Sequence, residues 1–254
     1  MNIREILEDD EMEIIDDNSI KRNHNIYTVF EKSPNRIVTC IKVLIIGPKY
    51  TPYQDGFFFF TIKPTCKYPM EPPIIKFRST DNKVRFHPNI DNNGAVSLEI
   101  IDNWNPRFTF KKILFELKKL FVSNIIRLVP GYKNYPLEDT QKYDEFIKYN
   151  TIKYAVIKPL SRIPIGFEDF RKVISIYFDD EYENYLSYIA SKQYETKDID
   201  YKINFIDKVY QKHQICDYRI LMDELVNLGN NSDSENETGS ENEEDYDNQN
   251  EEDN

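Results

Sequence analysis

An ordered series of glycine and proline motifs constrains the fold more than any other feature of the sequence. In chain order the motifs are Gly47-Pro48, Thr51-Pro52-Tyr53, Gly56, Tyr68-Pro69-Met70-Glu71-Pro72-Pro73, His87-Pro88-Asn89, Gly94 and Trp104-Asn105-Pro106. Each proline fixes one backbone angle and removes an N–H donor, whereas each glycine permits turns that other residues resist. The chain must therefore reverse direction at these points, with short strands and helices between them.

Runs of β-branched and aromatic residues between the motifs predict four strands. Residues 26–31 and 36–46 are predicted to pair as a hairpin, because a Lys-Ser-Pro-Asn turn separates them. Residues 56–62 form the third strand and residues 74–77 the fourth. The third strand has four consecutive phenylalanines, so both of its faces are apolar. We expect one face to meet a helix and the other to meet a loop or a partner.

Residues 86–106 are built like the rim of an active site. Pro88 stiffens the turn that holds His87 and Asn89, and Gly94 can supply a left-handed backbone conformation. These turns should hold Asn89 close to Ser97. A side-chain amide in that position can donate a hydrogen bond to a developing oxyanion, as a transferase acting on a carbonyl requires.

Over about residues 25–155, the ordered motifs resemble the core of a ubiquitin-conjugating enzyme. The resemblance implies the α+β fold of that family, a UBC-like four-strand antiparallel meander flanked by helices. After the last motif, Thr109 is expected to cap a helix whose apolar residues recur at helical spacing.

The resemblance also implies roles for five residues. Ser97 stands at the position of the nucleophile, Asn89 at that of the oxyanion donor, and His87 supports the site loop. Met70 and Pro106 stand on the two loops that present a surface to a RING-type ligase.

The family's nucleophile is a cysteine, and here a serine replaces it. A thiol, with a reference pKa of about 8.5, is partly ionised at neutral pH and can accept and release an acyl group. A serine hydroxyl needs a general base, and no His/Asp pair at suitable spacing is found near Ser97. Cys40, Cys66 and Cys216 lie too far from this position in the sequence to replace it.

Three functions therefore stay open. The first is a non-catalytic variant that binds ubiquitin or a ubiquitin-like modifier, an active conjugating enzyme or a ligase. The second is an active transferase, either with Ser97 as an oxyester acceptor or as an engineered Cys→Ser form of an active enzyme. The third is a peptide-binding adaptor. Whether the chain is an enzyme depends on this choice.

The formal net charge of −11 comes from the end of the chain. Residues 230–254 hold 11 of the 44 acidic residues and no Lys or Arg, which leaves 33 acidic against 33 basic residues in the rest. The neutral body gives no support for nucleic-acid binding through a broad basic face. The low-complexity acidic segment is predicted to be disordered.

The composition predicts three parts: a UBC-like core at 1–158, a helical extension at 159–229 and the acidic tail at 230–254. Within the extension, residues 167–189 and 203–228 are expected to be helical. Residues 1–17 predict a short acidic helix, whereas the resembled family carries basic residues there to meet its activating enzyme.

Three widely spaced cysteines fit a reducing compartment and predict neither a disulfide scaffold nor a metal site. No apolar run is long enough for a membrane span and no secretory leader is recognisable. We therefore expect a protein of the cytoplasm or nucleus that needs no cofactor and contacts no membrane.

Overall fold

Four antiparallel strands form the central sheet in the order β1-β2-β3-β4. They are β1 (Ile26–Lys32), β2 (Val38–Ile46), β3 (Phe57–Lys63) and β4 (Ile74–Arg78). The predicted four-strand meander is therefore confirmed. The computed structural model of the protein describes residues 3–78, 84–129, 131, 133–134, 136–195, 202–207 and 212–239.

Helices flank the sheet on both sides. They are α1 (Ile3–Asp16), α2 (Asn18–His24), α3 (Glu99–Asp102), α4 (Phe110–Lys118), α5 (Leu137–Asn150), α6 (Lys158–Ser161), α7 (Arg171–Glu195) and α8 (Tyr218–Gly239). A π-helical segment, Thr151–Ile157, joins α5 to α6, and two 3₁₀ turns lie at Ile125–Leu128 and Glu168–Phe170. Thr109 occupies the N-cap position of α4, but its side chain makes no capping hydrogen bond.

The inner face of the sheet carries alternate residues of β3 into the main core. Phe58 packs edge-on against Phe86 at 5.4 Å between ring centroids, and Phe60 lies 5.3 Å from Phe77. Phe121, just after α4, contacts both Phe58 and Phe60. Successive side chains of a strand point to opposite faces, so the other two phenylalanines of the run must be covered from the other side.

The segment after the core supplies that cover. Phe57 packs against Tyr177 of α7, and Phe59 packs against Phe167 and Phe170. All four phenylalanines of β3 are at most 2% exposed. Both faces of the strand are therefore buried within this chain, and the outer face is covered by the extension.

Hydrogen bonds to a buried loop residue fasten α7 to the body of the domain. The Tyr177 hydroxyl donates to the Asp55 carboxylate at 2.9 Å, and the Tyr185 hydroxyl donates to the Asp55 carbonyl at 2.7 Å. Lys49 pairs with the same carboxylate at 3.0 Å and with Glu181 of α7 at 2.7 Å. Because Asp55 is only 2% exposed, these contacts belong to the core.

One expected helix of the extension is a hairpin instead. The sequence predicts helix over residues 203–228, but Lys202–Asp207 (β5) and Lys212–Asp217 (β6) pair antiparallel, and helix begins at Tyr218. The helical expectation is wrong for this part. Apolar residues alternate along β5, and such short runs fit a strand period as well as a helical one.

The last helix runs past the predicted start of the acidic tail. The sequence predicts that the extension ends at residue 229, whereas helix α8 continues for ten more residues, through Gly239. The remainder of the predicted tail, residues 240–254, lies outside the described residues. None of the helices in the described part of the chain is long and apolar enough to cross a membrane.

The predicted acidic helix at the start of the chain is present as α1, and several of its carboxylates are paired. Glu11 binds Lys32 at 2.8 Å, and Asp17, which follows the helix, binds Lys111 of α4 at 3.0 Å. Asp10 is buried and accepts a hydrogen bond from the Tyr68 hydroxyl. Burial raises the pKa of Asp10 to about 6, despite the opposing effect of this hydrogen bond. Some of the acidic side chains in and after α1 therefore hold this helix against the rest of the domain.

Replacing Phe170 with alanine should test whether the extension belongs to the core. Phe170 is 2% exposed, so Phe170→Ala should lower the free energy of unfolding by about 3–5 kcal/mol, the usual cost of such a cavity. Ile176→Ala, at a position 53% exposed on α7, should change it by about 0.5 kcal/mol or less. Urea unfolding of both variants measures this. Equal effects would mean that the extension does not share the core.

Candidate functional site

The His87-Pro88-Asn89 turn is held by a hydrogen bond inside the turn. The backbone N–H of Asn89 donates to Nδ1 of His87 at 2.9 Å. His87 is 2% exposed, and burial, aided by the positive charge of Arg85, lowers its pKa to about 4. The imidazole is therefore neutral at pH 7, with its accepting nitrogen already occupied. His87 serves the shape of the loop, and it is not available as a base.

Two further side chains, those of Arg85 and Tyr53, hold this loop through its backbone carbonyls. Arg85 donates from Nε to the carbonyl of Ile90 at 2.9 Å and from Nη2 to the carbonyl of Pro88 at 2.6 Å. The Tyr53 hydroxyl donates to the carbonyl of Phe86. Tyr53 belongs to a recognised motif, but only the fold brings it to a residue 33 positions away. Arg85, two residues before His87, carries no signal in a single sequence.

Asn89 and Ser97 are brought side by side. The backbone N–H of Ser97 donates to the carbonyl of Asn89 at 2.8 Å, and the neighbouring residues Ile90 and Val96 form an antiparallel bridge. Both Asn89 and Ser97 are exposed. Among the described residues, neither the Asn89 amide nor the Ser97 hydroxyl has a hydrogen-bond partner. Their side chains are therefore free to meet an incoming group.

A tight turn between them fixes this arrangement. The carboxylate of Asp91 accepts hydrogen bonds from the N–H groups of Asn93, at 2.8 Å, and Ala95, at 2.7 Å. Gly94 has a φ of +77°, and its carbonyl accepts from the N–H of Phe77 in β4 at 2.7 Å. The turn is thus pinned to the last strand of the sheet.

None of the three cysteines lies on the loop that carries Ser97. Cys66 is exposed on a different loop, whereas Cys40 and Cys216 are buried. Burial raises the pKa of both buried thiols, that of Cys216 to about 12, which leaves them protonated. The described residues also contain no cluster of three or more His, Cys, Asp or Glu side chains able to hold a metal ion.

The structure also brings together the two loops that carry Met70 and Pro106. Trp104 is half-buried and donates from Nε1 to the carbonyl of Pro69 at 2.7 Å, so it ties one loop to the other. Its ring packs edge-on against Phe108 at 5.7 Å. Met70 is 72% exposed and Pro106 is exposed, so both residues are accessible to a partner.

Comparison with known proteins decides the family. The sequence of residues 10–131 matches the family model described as ubiquitin-conjugating enzyme. Residues 10–131 belong to the ubiquitin-conjugating enzyme family. The predicted resemblance and the UBC-type fold are therefore confirmed. That Ser97 stands at the position of the family's cysteine stays a prediction.

Several curated relatives carry the same kind of domain. Ubiquitin-conjugating enzyme E2 Z of Xenopus tropicalis is 33% identical over 155 residues, which are 58% of this chain and 50% of that protein. The Homo sapiens protein of the same name is 36% identical over 127 residues, 47% of this chain and 36% of that protein. The human dual E2 ubiquitin-conjugating enzyme/E3 ubiquitin-protein ligase BIRC6 is 30% identical over 149 residues, 52% of this chain but 3% of that protein. The chain thus spans half or less of the length of these relatives.

Replacing Gly94 with alanine should damage the site turn through its backbone. A Cβ at Gly94 would lie 2.4 Å from the carbonyl oxygen of Phe77, and φ is +77°. Backbone strain of this kind costs about 1–3 kcal/mol, and the clash with a strand adds to it. The measurement is urea unfolding, with Gly131→Ala as the control. Gly131 has a similar φ of +87°, but no described atom lies within 4 Å of the added Cβ. A loss no greater for Gly94→Ala would contradict the pinned turn.

Proposed function

We propose that the protein acts in ubiquitin conjugation as a non-catalytic member of the family that binds ubiquitin, a conjugating enzyme or a ligase. The observation that carries the proposal is the state of Ser97. By its resemblance to the family, this residue takes the position of the nucleophile, yet no described side chain forms a hydrogen bond with its hydroxyl.

The low reactivity of a serine hydroxyl supports a non-catalytic role. A serine hydroxyl attacks an acyl group only when a base removes its proton, and the nearest histidine is buried, neutral and already bonded to the Asn89 N–H. An ester formed on serine is also a poorer acyl donor than a thioester. The loop therefore holds the geometry of a transferase without its reactive group.

The intact loop favours a second candidate, an active transferase that works through Ser97 or whose cysteine form is the active one. A binding module has no evident need for an oxyanion donor, yet the Asn89 amide stays unpaired beside Ser97 among the described residues. The clamp by Arg85 and the pinned turn at Gly94 hold this geometry. A loading experiment separates the two candidates.

We also propose that the surface around Met70 and Pro106 binds a RING-type ligase. Met70 can bury apolar area in an irregular pocket, because a thioether side chain adapts its shape easily. Trp104 fixes the relative position of the two loops, so the surface is already formed before binding. Preformed surfaces bind at a lower entropic cost.

Loading with activating enzyme, ATP and ubiquitin should give no thiol-sensitive adduct on the protein as it stands. Ser97→Cys should form a thioester if the loop is competent, because a thiol is partly ionised at neutral pH. The readout is a shift on a non-reducing gel that disappears with a reducing agent. Ser97→Ala is the matched control and should form neither species.

Two results would change the assignment. An adduct on Ser97 that survives reducing agent but is cleaved by hydroxide would establish an oxyester and end the non-catalytic proposal. In the Ser97→Cys variant, Asn89→Ala should leave loading intact but slow transfer to a lysine about 100-fold, the usual effect of removing one oxyanion donor. If Ser97→Cys transfers ubiquitin equally fast with and without Asn89→Ala, Asn89 is not the oxyanion donor.

Met70→Ala should weaken binding to RING domains mainly by speeding dissociation, because it removes a buried contact and leaves long-range charge unchanged. Surface plasmon resonance against a panel of immobilised RING domains measures both rates. Met70→Phe should preserve binding, and Ile176→Ala should have no effect, since that exposed residue lies on α7 across the sheet. If Ile176→Ala weakens binding as much as Met70→Ala, the proposed surface is wrong.

A further inference from the structure

A basic groove lies on the outer face of the sheet, away from Ser97. Its volume is about 490 Å³, and it is lined by residues of β2, β3 and β4 and by the loop at residues 162–166. The lining includes Cys40, Lys42, Lys63, Arg78, Arg162 and Gly166. Neither the site loop nor the Met70 surface contributes to it.

The cations of this groove are largely uncompensated. Lys42 pairs with Glu31 at 2.8 Å and approaches Asp169 at 3.7 Å. In contrast, no described carboxylate lies within ion-pair distance of Lys63, Arg78 or Arg162. Arg78 reaches only the Thr61 hydroxyl, at 3.4 Å. Three positive charges thus converge on one groove in a body whose net charge is neutral.

Helix α8 runs antiparallel to α7 and carries the chain back towards this groove. Gln193 of α7 donates to the carbonyl of Tyr218 at 3.1 Å, and a Cβ at Gly229 would lie 2.4 Å from the hydroxyl of Tyr182. The eleven residues from Tyr218 to Gly229 on α8 therefore lie beside the eleven residues from Gln193 back to Tyr182 on α7. Continued at the same rise of about 1.5 Å per residue, Gly239 reaches the level of residue 172, at the start of α7.

The start of α7 adjoins the groove. The 3₁₀ turn Glu168–Phe170 leads into α7, and its Asp169 is the residue that approaches Lys42. A few residues before it, Gly166 lines the groove directly. The extrapolated end of α8 and the groove are thus both near the start of α7, although they are far apart in sequence.

Residues 240–254 have the charge and length to fill the groove. They hold eight acidic residues and no basic one. An extended chain spans at most about 3.3–3.6 Å per residue, so fifteen residues reach about 50 Å, enough to cross the groove. Because the two are covalently linked, the local concentration of the segment is of millimolar order, which permits a contact too weak to form between separate molecules.

We propose that residues 240–254 bind in this basic groove of their own chain. The contact is electrostatic: carboxylates of the segment pair with Lys63, Arg78 and Arg162, while Lys42 stays with Glu31. A single exposed ion pair contributes little net free energy, so the contact needs several of them together and opens readily. It follows that the groove is covered at low salt and becomes accessible as salt screens the charges.

Competition with a synthetic peptide tests the proposal. A fluorescent peptide of residues 240–254 is titrated, in low salt, against the full chain and against a full-length variant in which the eight acids of the segment become their amides. The peptide should bind the amide variant at least tenfold more tightly, because the native segment no longer competes. Fluorescence anisotropy gives both affinities. Equal affinities would falsify the proposal.

Charge reversal in the amide variant locates the site. Lys63→Glu with Arg162→Glu should weaken peptide binding at least tenfold. Arg107→Glu with Lys112→Glu is the matched control, two exposed cations that do not line the groove, and it should change the affinity less than twofold. If the control pair weakens binding as much as the groove pair, the peptide responds to overall charge and the groove is not its site.

Cross-linking separates binding within one chain from exchange between two chains. Light and heavy isotope-labelled full chains are mixed and treated with a carbodiimide, which joins a lysine to a carboxylate in direct contact. Peptides that link Lys63 to the segment should carry one label throughout. Mixed labels would overturn the intramolecular assignment and indicate exchange between two copies.

Discussion

Burial of both faces of β3 is the constraint on which the rest of the structure depends. Its four consecutive phenylalanines send alternate rings into two separate layers, and each fully buried ring contributes about 1.5–3 kcal/mol. Their sum is comparable with the whole net stability of a typical domain. The inner layer, with Phe58 and Phe60, packs on residues that lie within the segment matched by the family model. The outer layer exists only because residues after the core return to cover Phe57 and Phe59.

The site loop depends on the same sheet. Gly94 is fastened to β4 through the N–H of Phe77, and the ring of Phe86 packs on Phe58 just before the His87 turn. Asn89 and Ser97 are therefore held by packing and backbone hydrogen bonds. Among the described residues, none of the hydrogen bonds that shape this loop involves the side chain of Ser97, so the loop keeps its shape whichever small side chain stands there.

The extension helps to form a charged groove on the outer face of the sheet. Helix α7 and the turn before it cover Phe57 and Phe59 on that face, and the groove lies beside them. A conjugating-enzyme domain with an open outer face would lack this groove, because the loop at residues 162–166 forms one of its walls. The acidic end of the chain and the basic groove thus arise from the same addition to the core.

The sequence alone determined those features that depend on local geometry and on an ordered set of turns. The four strands, helix α4, the family and the pairing of Asn89 with Ser97 could all be predicted, because prolines and glycines at fixed spacing permit few paths for the chain. The roles of Ser97, Asn89 and His87 stay predictions until the loading experiment is done.

Only the tertiary structure decided the contacts between distant residues. The clamp by Arg85 and Tyr53, the cover that Phe167 and Phe170 give to Phe59, and the convergence of Lys63, Arg78 and Arg162 all join separate parts of the chain. The hairpin at β5 and β6 was missed for a related reason: a short apolar run suits a strand or a helix equally, and the pairing partner decides between them. Local patterns specify where a chain turns, whereas burial and charge act through space and depend on what the fold brings near.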